Sequence, residues 1–311
     1  MDSLRPQYVS VIEPISPAIE RVRLILFKPF DLSKWLIIGF CAWLAQLGRG
    51  GGGGPNGFNF NFNDRHNEFN QISQVKDTLL TYLPWIIIGA VIVIPILIII
   101  GLVLCWLRSR GQFMFLHCIA GNKAEVAVPW RKFAGHGNSL FLFRIVIGLI
   151  GLIVVGLPTA LFIFSVIATQ KTALIGLAIS GIIVAVLVFI GALILFGLIA
   201  KFTTDFVVPI MLLNTSSSVA GWRMFLVILG ANKARMILYI LFQIVISMVI
   251  GFIAMFICLI GCCCCCASVL LLVPYVGTVI LLPLFAFQRA YSLYYLRQFG
   301  PAFDVFSVQA S

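Results

Sequence analysis

The sequence predicts an all-α integral membrane protein with six transmembrane helices, arranged as three hairpins that each follow a short cytoplasmic (elbow) helix at the membrane interface. Hydrophobic residues make up 61% of the chain and charged residues 10%, whereas soluble domains carry about 25% charged residues. The apolar residues also form long continuous runs without ionisable side chains. A membrane-spanning backbone must be helical or form a closed barrel, and barrel strands alternate in polarity. Continuous apolar runs therefore favour helices.

The spans follow from five uncharged runs, at residues 35–48, 78–107, 145–170, 172–200 and 236–288. A bilayer core about 30 Å thick takes about 20 apolar residues per helix, so the last run is long enough for two passes. We predict spans at 35–48, 82–107, 145–168, 173–200, 236–260 and 269–291, within a membrane domain of residues 35–299. The first span covers only about 20 Å, which leaves a re-entrant helix open as an alternative.

The first 34 residues form a separate cytoplasmic segment in this interpretation. An amphipathic helix is expected to start at Ser16 and Pro17, with Glu20 in its first turn, and to stop before Pro29. Asp31 is then the expected N-cap of the first membrane helix. Because the first apolar run begins only after this basic segment, we expect no cleavable signal peptide.

Orientation follows from the basic residues, which membrane proteins concentrate on the cytoplasmic side. With six spans and the N-terminus inside, 17 of the 21 lysines and arginines lie inside. If the first helix were re-entrant, 12 of the lysines and arginines would lie inside and 9 outside. The bias favours two cytoplasmic termini, including a tail at residues 300–311. It also explains the net charge of +11 without nucleic-acid binding.

The first outer loop, residues 49–77, differs in composition from the rest of the chain. Five consecutive glycines at 50–54 precede an alternating Phe/Asn run at 58–63. Glycine at this density is typical of a flexible tether. A hairpin that binds a partner or rests on the bilayer surface is the alternative.

A short motif recurs before two of the hairpins. Trp130-Arg131-Lys132-Phe133 and Trp222-Arg223-Met224-Phe225 share a W-R-x-F pattern. Each copy is followed by a glycine and an asparagine, in Gly137-Asn138 and in Gly230-Ala231-Asn232, and then by an arginine near the start of a span. The repeat predicts an interfacial helix, a polar or glycine elbow, and a hairpin of two spans.

The basic and aromatic residues around these repeats are the candidate interface site. Tryptophan anchors helices at membrane interfaces and the neighbouring cations meet lipid phosphate. The alternative is one binding site for an anionic lipid head group, which requires several of these cations to converge in space. The candidates are Trp130, Arg131, Lys132, Arg144, Trp222, Arg223, Lys233 and Arg235.

One charged pair, Lys201 and Asp205, lies at the inner end of the fourth predicted span. The i, i+4 spacing predicts a local ion pair on one helix face or a feature of the helix end. A functional role is the alternative.

Catalytic and metal-binding patterns are missing from the sequence. No two acids form the close pair used in acid/base catalysis, and the five uncharged runs contain no Asp, Glu, His, Lys or Arg. Five consecutive cysteines, 262–266, include C-x-x-C spacings. Their apolar setting favours small filler residues over oxidation or zinc binding. We therefore expect no enzyme activity, no cofactor and no metal.

Several segments resemble an uncharacterised family of bacterial multi-pass membrane proteins. They are Phe30-Asp31 with Trp35, residues 137–143, residues 205–211, and Arg289-Ala290-Tyr291-Ser292-Leu293 leading to residues 298–301. More distantly, the plan is similar to the membrane domain of glycerophosphoryl diester phosphodiesterases. The catalytic barrel of those enzymes needs about 250 residues, for which this chain has no room. The resemblance implies a bacterial cytoplasmic (inner) membrane and no established activity.

The functional expectation is a structural, regulatory or lipid-associated membrane protein without catalytic chemistry. Its expected partners are membrane lipids, and a homo-oligomer or a membrane-protein partner stays open. A transporter or permease-like component for a lipidic or apolar cargo is the first alternative, because Pro95, Pro158 and Pro283 soften predicted spans. A membrane enzyme that acts on lipid head groups through Asp205 and the cytoplasmic arginines is the second.

Overall fold

The computed structural model describes residues 9–48, 72–169, 175–214, 216–263 and 274–310. Helices account for 88% of the structure, and the described residues include no strand. The predicted all-α class is therefore confirmed. Most of the predicted outer loop, residues 49–71, and the last three cysteines of the 262–266 run lie outside the described residues.

The N-terminal segment contains helix α1 (Ile15–Leu26), which packs its apolar face inward. Its buried residues, Ala18, Val22, Ile25 and Leu26, follow the spacing of an amphipathic helix. The helix begins one residue before Ser16, at a boundary formed by Pro14 without a side-chain cap. The helix starts earlier than the expected Ser16 because the φ of Pro14, −65°, already fits a helix.

Helix α2 (Leu32–Gln46) begins at the predicted cap. The Asp31 carboxylate accepts a 2.8 Å hydrogen bond from the Ser33 amide, which satisfies a free donor of the first turn. Trp35 donates through Nε1 to the Leu26 carbonyl at 2.7 Å. The indole thereby joins the start of α2 to the end of α1.

The described residues after α2 form ten further helices. They are α3 (Ile72–Gly121), α4 (Ala127–Lys132), α5 (Ala134–Thr169), α6 (Ile175–Phe202), α7 (Val208–Asn214), α8 (Ser218–Ala231), α9 (Lys233–Cys263), α10 (Pro274–Ile280), α11 (Leu282–Arg297) and α12 (Val305–Ala310). A π-helical turn (Thr203–Val207) joins α6 to α7, and a 3₁₀ turn (Pro301–Phe303) precedes α12.

Four stretches of these helices are long and apolar enough to cross a membrane: Val91–Gly121, Ala134–Ala160, Ile183–Asn214 and Lys233–Ile257. They correspond to the second to fifth predicted spans and identify a membrane protein. The first predicted span is the 15-residue α2. The last one is divided at Leu281 into α10 and α11, of 7 and 16 residues, and its first residues lie outside the described part.

The helices extend beyond the predicted spans at their charge-bearing ends. Arg108 and Arg110 end the apolar run of α3, yet the helix continues to Gly121. Gly137 and Asn138 lie inside α5, so the predicted elbow at this pair was wrong. A Cβ on Gly137 would lie 2.7 Å from Cγ of Arg110; this glycine lets α3 and α5 approach closely.

The buried core lies among these charge-bearing ends. Residues 111–120 of α3 are all buried, whereas residues 91–103 are exposed. The largest fully buried side chains include Phe113, Phe206, Phe225, Tyr239 and Tyr291. Along the apolar stretches of the four long helices, at most 11% of residues are buried within the chain. The protein is thus packed at one end, and its most apolar surface faces outward.

Candidate functional site

The candidate site is built around the π-helical turn Thr203–Val207. Its hydrogen bond runs from the Val208 amide to the Thr203 carbonyl, one residue wider than in an α-helix. Pro209 gives a local reason for the wider turn, because a proline ring inside an α-helix collides with the carbonyl four residues earlier, here that of Asp205. Such turns often occur at functional sites.

Asp205 lies inside this turn and is almost completely buried. Its Oδ2 accepts from Lys201 Nζ at 2.9 Å and from the Tyr239 hydroxyl at 2.9 Å. The ion pair is the one that the i, i+4 spacing predicts. The tyrosine is contributed by α9, so the carboxylate also joins two long helices.

A second cation, Arg289 of α11, reaches the same turn. Its Nη1 donates to the Thr204 carbonyl, and the Asp205 carboxylate is close enough to act on its charge. Arg289 is 7% exposed, and its Nε and Nη2 have no hydrogen-bond partner in the described part of the chain. Two groups that donate hydrogen bonds are therefore left unsatisfied in the interior, which is costly for a charged side chain.

A third cation, Arg144 of α5, is connected to the turn through Gln112. Arg144 Nη2 donates to Gln112 Oε1 at 2.6 Å, and Nη1 donates to Ser109 Oγ at 2.9 Å. Gln112 Nε2 then donates to Thr204 Oγ1 at 3.3 Å. We call Gln112, Arg144, Lys201, Thr204, Asp205, Tyr239 and Arg289 together the ionic cluster.

Aromatic rings close one side of the ionic cluster. The ring of Phe206 lies 5.3 Å from Phe225 and 5.0 Å from Tyr239, and Tyr239 lies 4.5 Å from Tyr295. These rings shield the Asp205 carboxylate and the Tyr239 hydroxyl from water. In such surroundings charges are weakly screened, and an unbalanced charge is expensive.

The ionic cluster has more positive than negative charge. Among the described residues that form it, three are cations and one is a carboxylate. Its chemistry suits charge pairing and anion binding. Across the described ranges, no group of three His, Cys, Asp or Glu residues lies close enough to hold a metal ion.

The first W-R-x-F copy forms an aromatic cage around a different cation. The guanidinium of Arg110 lies 4.4 Å from the ring centroid of Trp106 and 4.9 Å from that of Trp130. Asn138 Oδ1 accepts from Trp106 Nε1 at 3.1 Å. Cation–π contacts of this kind hold a charge against an apolar surface. Trp130 therefore belongs to a defined cluster together with residues of α3 and α5.

The second copy has a different neighbour. Trp222 stacks on Phe143 with ring centroids 5.9 Å apart, and Ser218 joins the helices through a 3.1 Å contact with the Ser139 hydroxyl. In both copies the phenylalanine of the motif, Phe133 or Phe225, is buried in the core. The shared pattern thus places the same residue inward in both copies.

The predicted interface cations do not share one set of contacts. Arg144 turns toward α3, whereas Arg235 Nη1 donates to Asn232 at 3.1 Å. Four others lie exposed on the surface: Arg131, Lys132, Arg223 and Lys233. Of the eight candidates, only Arg144 joins the ionic cluster.

Sequence reasoning missed Arg289, Tyr239 and Gln112. From the sequence, Arg289 indicates only the inner flank of the last span, and Tyr239 is one aromatic residue in an apolar run. The available signal was that Arg289 is the first charge after residues 236–288. Lys201 and Asp205 lie in the continuous helical stretch Ile183–Asn214, just beyond the predicted span that ends at residue 200.

Comparison with known proteins identifies a family but no activity. A family model described as a family of unknown function, DUF7544, matches residues 9–276. No curated protein and no solved structure matches the chain. Nothing in these comparisons links it to glycerophosphoryl diester phosphodiesterases, so that similarity stays a prediction. Since the match covers most of the sequence, the chain belongs to the DUF7544 family, a family of unknown function.

Proposed function

We propose that this protein is a multi-pass protein of the bacterial cytoplasmic membrane that associates with anionic lipids and has a structural or regulatory role without catalysis. One observation carries the proposal: four long helices expose apolar side chains all round, and their charge-bearing ends hold the packed core. Such a surface needs lipid around it. The basic residues at the packed end suit anionic head groups.

The proposed topology has six spans in three hairpins, with both termini in the cytoplasm. The short helices α1, α4 and α8 directly precede α2, α5 and α9, which supports one interfacial helix per hairpin. The 17 to 4 distribution of basic residues supports the orientation. Here α2, of 15 residues, and the α10–α11 pair, of 7 and 16 residues, would complete the six spans.

Lipid enrichment in the purified protein tests the proposal. Four exposed cations on the packed end are removed in the variant Arg131→Gln, Lys132→Gln, Arg223→Gln and Lys233→Gln. The control removes the same number of charges from the proposed outer side, through Arg49→Gln, Arg65→Gln, Lys76→Gln and Lys171→Gln. Mass spectrometry measures the ratio of phosphatidylglycerol to phosphatidylethanolamine in each preparation.

We expect enrichment of phosphatidylglycerol in the wild type and the control, and its loss in the first variant. Equal lipid ratios in all three preparations would contradict the proposed association with anionic lipids. Equal loss in both variants would indicate a response to net charge alone and would contradict the proposed interface.

A second candidate function is transport of a lipidic or apolar cargo. It is favoured by the π-helical turn at Asp205, because wide turns and buried ionisable residues in long membrane helices often accompany a substrate pathway. Proteoliposomes with a fluorescent lipid in one leaflet test it. Transfer between leaflets that is faster with the wild-type protein than in empty vesicles would support transport, and transfer no faster than in empty vesicles would exclude it for that lipid.

A further inference from the structure

We propose that the ionic cluster is a binding site for one phosphate group, held by Arg289 together with Gln243 at the interior end and by Lys201 at the rim. The proposal rests on the membrane placement given under the proposed function, but not on general attraction to anionic lipid. The phosphate is either free or carried by a lipid head group. The two sources share the chemistry that the site would recognise.

The first argument is charge. Lys201 and Arg289 both contact the π-helical turn, and Asp205 is the one carboxylate in the cluster. Buried charges are normally paired, because an unbalanced one loses its hydration without compensation. A phosphate group would supply the missing negative charge.

The second argument is the direction of the unused donors. One nitrogen of Arg289, Nη1, is engaged with the Thr204 carbonyl, which fixes the plane of the guanidinium. The two remaining nitrogens, Nε and Nη2, form one edge of the planar fork and have no partner in the described residues. This edge matches two oxygens of a phosphate or carboxylate in a bidentate pair.

The third argument is Gln243 of α9, which is 3% exposed and has no partner for Nε2 or Oε1 among the described residues. It lies one helical turn beyond Tyr239 on the same face of α9. Tyr239 contacts Tyr295 and Phe242 contacts Tyr291. The two helices therefore run antiparallel to each other.

From this antiparallel register we infer that Gln243, on the next turn of α9, lies at the level of Arg289 on α11. A phosphate held by the fork would give the Gln243 amide nitrogen an acceptor. Arg289 and Gln243 are buried side chains from different helices, and both have polar atoms without a hydrogen-bond partner among the described residues. Their inferred position at the same height along the helices indicates a common missing ligand.

The cluster can be reached from its rim. The side chain of Lys201 is 21% exposed, and Thr204 and Arg144 are half-buried. An anion can therefore meet Lys201 at this rim, beside the turn that Arg289 also contacts. All of these residues belong to the packed, charge-bearing end of the protein, where lipid head groups lie in the proposed topology.

Thermal unfolding of the full chain in an uncharged detergent tests the site. Inorganic phosphate is titrated against sodium chloride of equal ionic strength, and dioleoylphosphatidylglycerol is titrated against dioleoylphosphatidylcholine. We expect a saturable rise of the unfolding midpoint with phosphatidylglycerol. A rise with inorganic phosphate as well would assign the site to free phosphate groups in general, whereas a rise with the lipid alone would assign it to a head group.

Two variants and a control locate the effect. Arg289→Gln is expected to abolish the saturable shift, and Arg297→Gln, an exposed arginine on the same helix, is expected to retain it. Gln243→Leu keeps the protein folded if Arg289→Gln does not, because it replaces an unpartnered buried amide with an apolar side chain of similar size. It should raise the midpoint without ligand and weaken phosphate binding about tenfold.

The proposal is overturned if neither phosphate source gives more than its control, or if Gln243→Leu binds as tightly as the wild type. Failure of this site is distinguishable from failure of the proposed function. Loss of the saturable shift with unchanged phosphatidylglycerol enrichment would remove the buried site and leave the surface association intact.

Discussion

Tyr239 donates a hydrogen bond of 2.9 Å to Asp205, and both side chains are buried although 34 residues separate them. The same carboxylate pairs with Lys201. Because the π-helical turn places Asp205 toward α9, one carboxylate fixes the relative position of two long helices. The contact is the centre of the packed end of the molecule.

Asp205→Asn is expected to destabilise the protein strongly. The amide keeps the shape and still accepts from Tyr239, but it leaves Lys201 and Arg289 without a negative charge. Removing one partner of a buried ion pair costs about 3 kcal/mol or more. Denaturant titration in mixed micelles measures the loss in free energy of unfolding.

Asp304→Asn is the matched control for that substitution. Asp304 pairs with Arg297 at 3.2 Å, and the Arg297 side chain is 54% exposed. Asparagine keeps the hydrogen bond from the Phe306 amide. The lost charge belongs to a side chain that is 18% exposed and pairs with an exposed arginine, so we expect a cost of only about 1 kcal/mol. Equal costs at the two positions would contradict a special role for the ionic cluster.

Gly111→Ala is expected to separate α2 from α3. A Cβ at this position would lie 2.6 Å from the carbonyl carbon of Leu44 and 2.7 Å from the amide nitrogen of Ala45. Backbone atoms cannot move aside without shifting a helix, and overpacking of this kind costs about 1–3 kcal/mol. The midpoint of thermal unfolding should fall.

Gly148→Ala makes the same chemical change in α5 where nothing lies within 4 Å. It should be neutral or stabilise the helix by up to about 1 kcal/mol, because alanine has the higher helix propensity. A destabilisation as large as that of Gly111→Ala would show that close packing is not the cause.

Cys41 and Cys118 are expected to form a disulfide when an oxidant is supplied. Their sulfurs lie 3.9 Å apart, although the residues belong to α2 and α3 and are 77 positions apart in the sequence. A variant that retains only these two cysteines should lose both free thiols on treatment with copper phenanthroline, as measured by maleimide labelling. A monomeric band in a non-reducing gel would confirm an intramolecular bond.

A variant that retains Cys41 and Cys105 is the control for this cross-link. The 13 residues from position 105 to position 118 advance about 20 Å along α3, so Cys105 lies too far from Cys41 to react. If both variants crosslink equally, the packing of α2 on α3 is wrong.

Arg21→Gln is expected to loosen α1 from the end of α3. Arg21 Nε donates to the Ile119 carbonyl at 3.1 Å, and Nη2 donates to the Ala120 carbonyl. These are free acceptors at a helix C-terminus, where a cation is favourable. Burial lowers the pKa of the Arg21 guanidinium, but the group stays charged at neutral pH.

Hydrogen exchange measures this loosening, and faster exchange is expected in residues 15–26 and 116–121. The control Arg23→Gln removes an exposed arginine that lies 3.9 Å from Glu20 on the same helix, and it should leave exchange unchanged. Equal effects of the two substitutions would exclude a docking role for Arg21.

The sequence predicts much of the fold because charge-free apolar runs have one stable form in lipid. Four of them correspond to long helices. The helix ends were not predictable from the same signal. Hydropathy shows where contact with lipid ends, whereas the helices continue to residues such as Gly121 and Asn214, because their backbone hydrogen bonds do not depend on side-chain charge.

At the candidate site, only the contact between residues close together in the sequence was predictable. The spacing of Lys201 and Asp205 predicts their ion pair, since neighbours on a helix face are fixed by helix geometry. Tyr239 and Arg289 reach the same turn through tertiary packing of α9 and α11. A single sequence contains no information on which helices pack together or how far apart their residues lie, so it does not specify that packing.

The most direct test of the account is the environment of the exposed apolar helices. Spin labels are placed singly through Ile98→Cys, Leu152→Cys, Leu187→Cys and Val249→Cys in a cysteine-free variant, with Arg131→Cys as the control. Paramagnetic resonance then measures collision of each label with oxygen, which concentrates in lipid, and with a water-soluble nickel chelate.

We predict high oxygen and low nickel accessibility at all four apolar positions, and the reverse at position 131. High nickel accessibility at the apolar positions would place them in water and contradict a membrane-embedded bundle. Low accessibility to both reagents would mean that protein covers these helices, which would contradict the lipid-facing surface on which the proposed function rests.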